Sequence, residues 1–237
     1  MCTLTFIPLK DEIIFTSNRD EHVSRAQTRF PVVEEHNGSK VYFPQDPKAG
    51  GTWLASSDSQ RISVLLNGAF EAHKYRPPYR KSRGIVLLET FDYSSLADFI
   101  TVYTFDDLEP FTIVSYDINR ADEIEELRWD GTTTHFRKLS SEEAHIWSSS
   151  QLYKKEIRDM REAWFSEFLA KHPNAKKMIH FHEFGGNTDK INKLKIDRGN
   201  GLQTISISQL IFLKEKTNFN YRNLVSGKTN DIIINKK

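Results

Sequence analysis

A chain of 237 residues, 38% hydrophobic and 12% aromatic, has enough apolar side chain to build a sizeable core. Its 33 basic and 32 acidic residues leave a net charge of +1, which argues against nucleic acid or an anionic membrane surface as a partner. A single cysteine excludes an internal disulfide framework and a multi-cysteine zinc site. No apolar run reaches the length of a membrane span, and the N-terminus lacks the basic-then-apolar pattern of a secretory signal, so the cytoplasm is the expected compartment.

In chain order, Thr3 to Pro8 and Glu12 to Ser17 are β-branched apolar runs separated by Lys10-Asp11, which predicts a hairpin. It ends in the dense polar cluster Ser17-Asn18-Arg19-Asp20-Glu21, expected to return to the level of residue 2. Residues 22–39 read as a loop and a short strand, and Phe43 to Gly51 as a turn region. Thr52 to Ser56 and Ile62 to Leu66 predict a second hairpin ending at Asn67-Gly68. The aromatic, basic segment Tyr75 to Arg83 is expected to be a loop. Gly84 to Phe91 and Leu96 to Tyr103 predict helices, the second capped by Ser94 or Ser95.

Phe111 to Tyr116, Ile124 to Trp129 and Thr134 to Leu139 then predict successive antiparallel strands. Lys154 to His172 is the clearest helix, with Ile157, Met160, Trp164 and Phe168 at spacings of three and four on an expected core face. Thr204 to Leu213 predicts a late strand, and the lysine-rich tail after Ser226 is expected to be peripheral. No repeat, linker or boundary divides the chain, so residues 1–237 read as one mixed antiparallel α+β domain.

The cysteine is residue 2, directly behind the initiator methionine. Its side chain is small enough for Met1 to be removed, which would leave Cys2 with a free α-amine beside its thiol. A thiol of pKa about 8.5 is a weak nucleophile until deprotonated, and an amine near 8 can take that proton. A cysteine at a strand start is by itself more often a small hydrophobe. The cluster one hairpin away changes that balance. Arg19 can hold a thiolate or a substrate carboxylate, Asp20 can orient the amine, and the Asn67 amide can face an oxyanion. Both Arg19 and Asp20 are expected at a polar cleft, outside the core.

The motifs Met1-Cys2-Thr3, Thr16-Ser17-Asn18-Arg19-Asp20-Glu21, Ala49-Gly50-Gly51-Thr52-Trp53-Leu54, Leu66-Asn67-Gly68 and Ser82-Arg83-Gly84 resemble the NRDE family, named for its Asn-Arg-Asp-Glu tetrapeptide. That family includes the transport and Golgi organisation protein 2 group. His180 to Gly186 and Asp197-Arg198-Gly199 resemble its bacterial branch. The family is placed among the N-terminal nucleophile hydrolases and is similar to choloylglycine hydrolases and penicillin V acylases. The resemblance implies a four-layer αββα sandwich. It also implies catalytic roles for Cys2, Arg19, Asp20 and Asn67, with Asn18, Glu21, Ser149 and His182 on the substrate side. The amidases tend to carry Arg-Asn-x-Asp where this chain has Asn18-Arg19-Asp20-Glu21, which leaves open whether Asp20 or Glu21 orients the amine. Ser149 is the nearest counterpart of a second oxyanion asparagine.

Two functions follow from the resemblance. One is hydrolysis of linear, non-peptide C–N amide bonds in an N-acyl compound through a Cys2 thioester. The other is a non-enzymatic carrier of haem or of a lipid or acyl ligand. No cofactor or metal is expected. The His180-x-His182 pair would share a face only in a strand and has no cysteine partner, and Gly50-Gly51-Thr52 lacks the lysine of a phosphate loop.

Overall fold

The computed structural model describes residues 3–25, 27–120 and 122–237. The first hairpin is β1 (Thr3–Pro8) and β2 (Ile13–His22), closed by a Leu9 N–H bond to the Glu12 carbonyl at 2.8 Å. Two more hairpins follow: β3 (Arg29–His36) with β4 (Ser39–Gln45), and β5 (Leu54–Ser57) with β6 (Arg61–Asn67). Helices α1 (Arg83–Glu89) and α2 (Leu96–Val102) come next, their first turns capped by the Ser82 and Ser95 side chains. The strands β7 (Phe111–Asp117), β8 (Glu123–Trp129), β9 (Thr134–Ser140) and β10 (His145–Ser148) lead to α3 (Lys155–Leu169) and α4 (Ala175–Phe184). The chain closes with β11 (Leu202–Leu213), β12 (Lys216–Asn223) and β13 (Thr229–Asn235).

Among the described residues the strands form two antiparallel sheets, ordered β10-β1-β2-β11-β12-β13 and β3-β4-β5-β6-β7-β8-β9. The alternation along β1 and β2 explains how they stack. Phe6 and Phe15 point into the space between the sheets, where they meet Tyr116 with Ile62 and Val64. Ile7 and Ile14 point the other way, onto Phe165 of α3 and Met178 and Phe181 of α4. On the far side, Val86, Leu87 and Phe99 of α1 and α2 cover Ala55, Leu65 and Ile113 of the second sheet. The result is the αββα order of layers. Each buried Phe or Ile removes apolar surface worth roughly 1.5–3 kcal/mol. A one-residue slip of β2 would drive Arg19 toward the helix layer and Phe15 out of the inter-sheet core, so the register is strongly specified.

The structure adds to or departs from the sequence reading in several places. Residues 29–45 form a long hairpin where a loop, a short strand and a turn were expected. His145–Ser148 is a strand that pairs with β1. His180 and His182 lie on a helix, so they face apart: His180 is exposed and His182 is buried. The tail after Ser226 is an edge strand whose Ile234 is buried in the inter-sheet core. On α3 the buried positions are Arg161 and Phe165, so the core face is rotated from the expected stripe and Ile157 and Met160 are only half-buried. An arginine can take a core position when carbonyls and an aromatic ring receive its guanidinium, as described below.

Candidate active site

The Asn-Arg-Asp-Glu run lies inside β2 instead of beyond its end. Strand alternation therefore splits the four side chains between two faces. Asn18 and Asp20 turn to the helix layer, while Arg19 and Glu21 line a cleft against the second sheet. Thr3 pairs with Asn18 on one side and with Ser148 on the other, so the start of β1 is flanked by strands on both edges. Cys2, the expected nucleophile, lies outside the described residues.

On the helix side every polar atom that the run presents is engaged. The Tyr153 hydroxyl donates to Asp20 Oδ2 at 2.7 Å, and the Thr204 hydroxyl donates to Asp20 Oδ1 at 2.6 Å. The ring of Tyr153 lies 3.6 Å under the guanidinium of Arg161. Arg161 is fully buried and donates to Thr3 Oγ1 at 2.7 Å and to the Asn192 and Lys193 carbonyls. The Asn18 amide donates to the carbonyls of His182 and Leu194 at 3.1 and 2.9 Å, which turns its Oδ1 toward His182 Nδ1 at 2.8 Å. Since Oδ1 only accepts, Nδ1 carries the ring proton, and His182 Nε2 accepts from the Thr5 hydroxyl at 2.8 Å. Burial, with the Arg161 charge behind it, pushes the His182 ring down to about 3, so it is neutral near neutral pH.

The cleft side is built around a shared carboxylate. Asp46 Oδ2 accepts from Arg19 at 2.8 Å and from Arg25 at 2.8 Å, while its Oδ1 accepts the backbone N–H of Lys48 and Ala49. Burial opposes the Asp46 charge. The hydrogen bond from Arg25 and the fields of both guanidinia outweigh it and hold the carboxyl below its usual range. Arg19 lies 3.9 Å over the Trp53 ring and also donates to Thr28. Burial pulls its guanidinium below the usual value, with Asp46 opposing that shift. The cleft has a volume of about 580 Å³. Its walls include Glu21 and Asn67, and its rim carries Tyr75 and Tyr79, which touch edge to face. The aromatic-basic segment is an exposed loop, as expected, and it also forms the edge of this cleft, the rim position that was its second reading.

Its floor depends on two glycines. A Cβ on Gly51 would come 2.4 Å from the Gly84 backbone, and one on Gly84 would come 2.6 Å from the Thr52 carbonyl. The backbones touch because neither residue has a side chain, which sets α1 against the strand that carries Trp53.

Asn67 ends β6, and its side-chain amide makes no hydrogen bond with another described residue. Its carbonyl accepts from the Ser149 hydroxyl at 2.7 Å and from the Gln151 N–H at 3.3 Å. Ser149, expected to face an oxyanion, thus donates its proton to the Asn67 main chain and holds that residue in place.

Arg19, Glu21 and Asn67 come together in the cleft. Asp20 lies beneath it, and Asn18 and His182 belong to the interior behind it. Arg19 and Asp20 are only 4% and 5% exposed, which corrects the expectation that they lie outside the core. Sequence reasoning missed Asp46, Trp53, Tyr153, Arg161 and Thr204. Only Trp53 carried a signal, through its place in the Gly51-Thr52-Trp53 motif. Tyr153 and Arg161 meet their partners across more than a hundred residues of chain, where no local pattern operates. Among the described residues no group of three or more His, Cys, Asp or Glu side chains gathers as a metal would need, and no helix is long and apolar enough to cross a membrane.

Solved structures share this architecture. Two variants of the conjugated bile acid hydrolase from Clostridium perfringens superpose with TM-scores of 0.64 and 0.65 at 11% identity, covering 100% of this chain and 93% of theirs. Penicillin V acylase from Agrobacterium tumefaciens gives 0.58 at 7% identity, over 98% of this chain and 86% of its own. The Caenorhabditis elegans ortholog of N-acylethanolamine-hydrolyzing acid amidase gives 0.59 at 11% identity, over 88% of this chain and 92% of its own. At these identities the likeness establishes the fold, an N-terminal nucleophile hydrolase sandwich. No curated protein matches the sequence. The family described as Transport and Golgi organisation 2 matches residues 1–227, a span that takes in the Asn18–Glu21 strand, the Gly51–Gly84 contact and the Asn67 turn, and the chain belongs to that family.

Proposed function

We propose that this protein is an N-terminal cysteine amidohydrolase acting on a linear C–N amide of a small N-acyl compound. The observation that carries the reading is the convergence on Thr3. The start of β1 is fixed between Asn18 and Ser148, with Arg161 bonded to Thr3 itself and the fully engaged Asp20 close by. A rigid, charged setting of this kind around the first strand is costly to explain without chemistry at the residue before it.

Removal of Met1 frees the Cys2 amine, which takes the thiol proton. The thiolate attacks the amide carbonyl, and the Asn67 amide donates to the resulting oxyanion. The tetrahedral adduct collapses as the ammonium of Cys2 returns its proton to the leaving nitrogen, which departs as the amine. Water, deprotonated by the same amine, then attacks the thioester and releases the carboxylic acid and the free thiol. Asp20 orients the α-amine. Arg19 faces the substrate together with Glu21. Serving as a haem ligand in a carrier would require His182, which is fully buried, to give up the internal hydrogen bond on its ligating nitrogen and reach a ligand from inside the helix-side network.

Intact mass decides the first requirement: the cell-made protein should lack Met1. Wild type challenged with an N-acyl panel and quenched in acid should then show a thioester adduct, and Cys2→Ala should show none. Retained methionine in functional material, or tight binding of haem or an acyl ligand without any adduct or turnover, would sink the hydrolase and leave the carrier.

A further inference from the structure

A second groove, with a volume of about 500 Å³, is lined by Leu66, Ser148 and Ser150, the residues that flank the Asn67–Ser149 contact. Ser148, the residue paired with Thr3, lines it, and so does Leu66, the neighbour of Asn67. The groove wall thus takes in the strand that pairs with β1 and the residue next to Asn67, which itself lines the Arg19 cleft. We propose that this groove is an anion subsite of the same active site, taking a carboxylate- or phosphate-type group on the substrate. The proposal rests on the hydrolase reading and adds the charge of the substrate to it.

The site is built from a buried carboxylate. Glu126 is 1% exposed and receives forks from two guanidinia, Arg128 at 2.8 and 3.1 Å and Arg137 at 2.7 and 3.0 Å, together with the Trp147 indole N–H at 2.7 Å. Two cations on one carboxylate leave a fixed positive excess at the groove wall. Arg137 spends Nε and Nη2 on Glu126, and its side chain is 57% exposed. Across the groove Arg158 spends one Nη on the Phe70 carbonyl. Lys155 pairs with Asp159 at 2.6 Å, but both are more than half exposed, so that pair exchanges readily for a ligand. Glu162 on the rim opposes the excess without cancelling it.

The Ser150 hydroxyl is an independent observation. The residue is 4% exposed, it lines the groove, and its Oγ has no hydrogen-bond partner among the described residues. It packs where a Cβ on Gly68 would come within 2.5 Å, and Gly68 has a φ of +82°, so both steric space and backbone conformation reserve that position for glycine. A buried hydroxyl without a partner costs stability unless something fills its bond, and an oxyanion would.

The test uses the full chain as Cys2→Ala, so binding is read without turnover. Inorganic phosphate and glutarate are titrated separately by calorimetry, which distinguishes phosphate from carboxylate preference. Saturable binding should weaken at least tenfold in Arg137→Gln with Arg158→Gln, and should be unchanged in Lys176→Gln on α4. Arg158→Gln alone gives the same direction of effect if loss of Arg137 prevents folding. Equal binding in parent and variants, or no saturation with either anion, overturns the proposal. In the wild-type enzyme the double variant should raise KM for an acidic N-acyl substrate and leave its neutral analogue unchanged. Anion binding lost in the variants with no turnover on any substrate would sink the hydrolase but keep the groove. Turnover with the same KM for acidic and neutral substrates would do the reverse.

Discussion

Asn18, Arg19, Asp20 and Glu21 are consecutive on one strand, yet they serve two different environments. Asn18 and Asp20 enter a closed network with His182, Tyr153, Thr204 and Arg161, in which hydroxyls and carbonyls answer every polar atom. Arg19 and Glu21 face an open cleft where Asp46 is shared between two guanidinia and the Asn67 amide bonds no other described residue. A tetrapeptide that looks like one functional motif is divided between a buried side and an open side, interleaved by the strand's period of two. The rigid side fixes where the open side stands. A helix or a loop could not separate the four residues in this way.

The largest test of that division is Arg161→Leu. The change leaves two backbone carbonyls and the Thr3 hydroxyl without partners and removes the cation stacked on Tyr153. We expect a loss of about 4 kcal/mol in urea unfolding, since each orphaned buried group costs roughly 1–3 kcal/mol. Arg161→Lys keeps the charge but not the fork, and should fall between. A loss below about 1 kcal/mol would show that the helix-side network does not hold the start of β1.

That network is also the part least legible from sequence. The β1–β2 hairpin, the β5–β6 hairpin, α1, α2 and β7 to β9 follow from alternation and from the serine caps, which are local signals. The layers and the Arg19, Glu21 and Asn67 cleft follow from the family resemblance. Arg161 was hidden because a helical hydrophobic stripe is read from apolar residues, and the residue at the centre of the buried face is charged. Ser149 was singled out by its place before the long helix in the resemblance, a positional signal that says nothing of where its hydroxyl bonds, and that hydroxyl supports the Asn67 main chain. The α4 helix was missed because Ala175 to Phe184 was read for what its two histidines could bind or wall, without testing its apolar spacing for a helix.

A smaller effect should appear on acidification. The folded-state pKa of His182 is about 3 against an ordinary 6.5, so the unfolded chain binds the proton first. Its contribution is fully present above pH 6.5 and is lost progressively as pH falls toward 3. At pH 5 the loss is about 2 kcal/mol. Glu126, whose carboxyl burial would raise but whose bonds to Arg128 and Arg137 lower to about 2, begins to cost stability only below its ordinary 4.5. Urea unfolding at pH 7 and pH 5 therefore isolates the histidine. His182→Gln should be less stable at pH 7 and should lose far less between the two values. An equal drop in variant and wild type would mean that the helix side is not sealed against protons.

The smallest expected change is Arg25→Gln, and it tests the open half. Arg25 bonds Asp46 at 2.8 Å, but its side chain is 32% exposed, and Arg19 remains on the same oxygen at 2.8 Å. Partly solvated pairs contribute little, so stability should fall by less than about 1 kcal/mol in thermal unfolding. Arg19→Gln at the same carboxylate should cost several times more, because it uncovers Trp53 and leaves the buried Oδ2 of Asp46 to a single, partly solvated guanidinium. If Arg25→Gln were instead as damaging as Arg161→Leu, the cleft side would be a structural network like the one behind it. The contrast between the two faces of β2 would then fail at the residue where it is easiest to break.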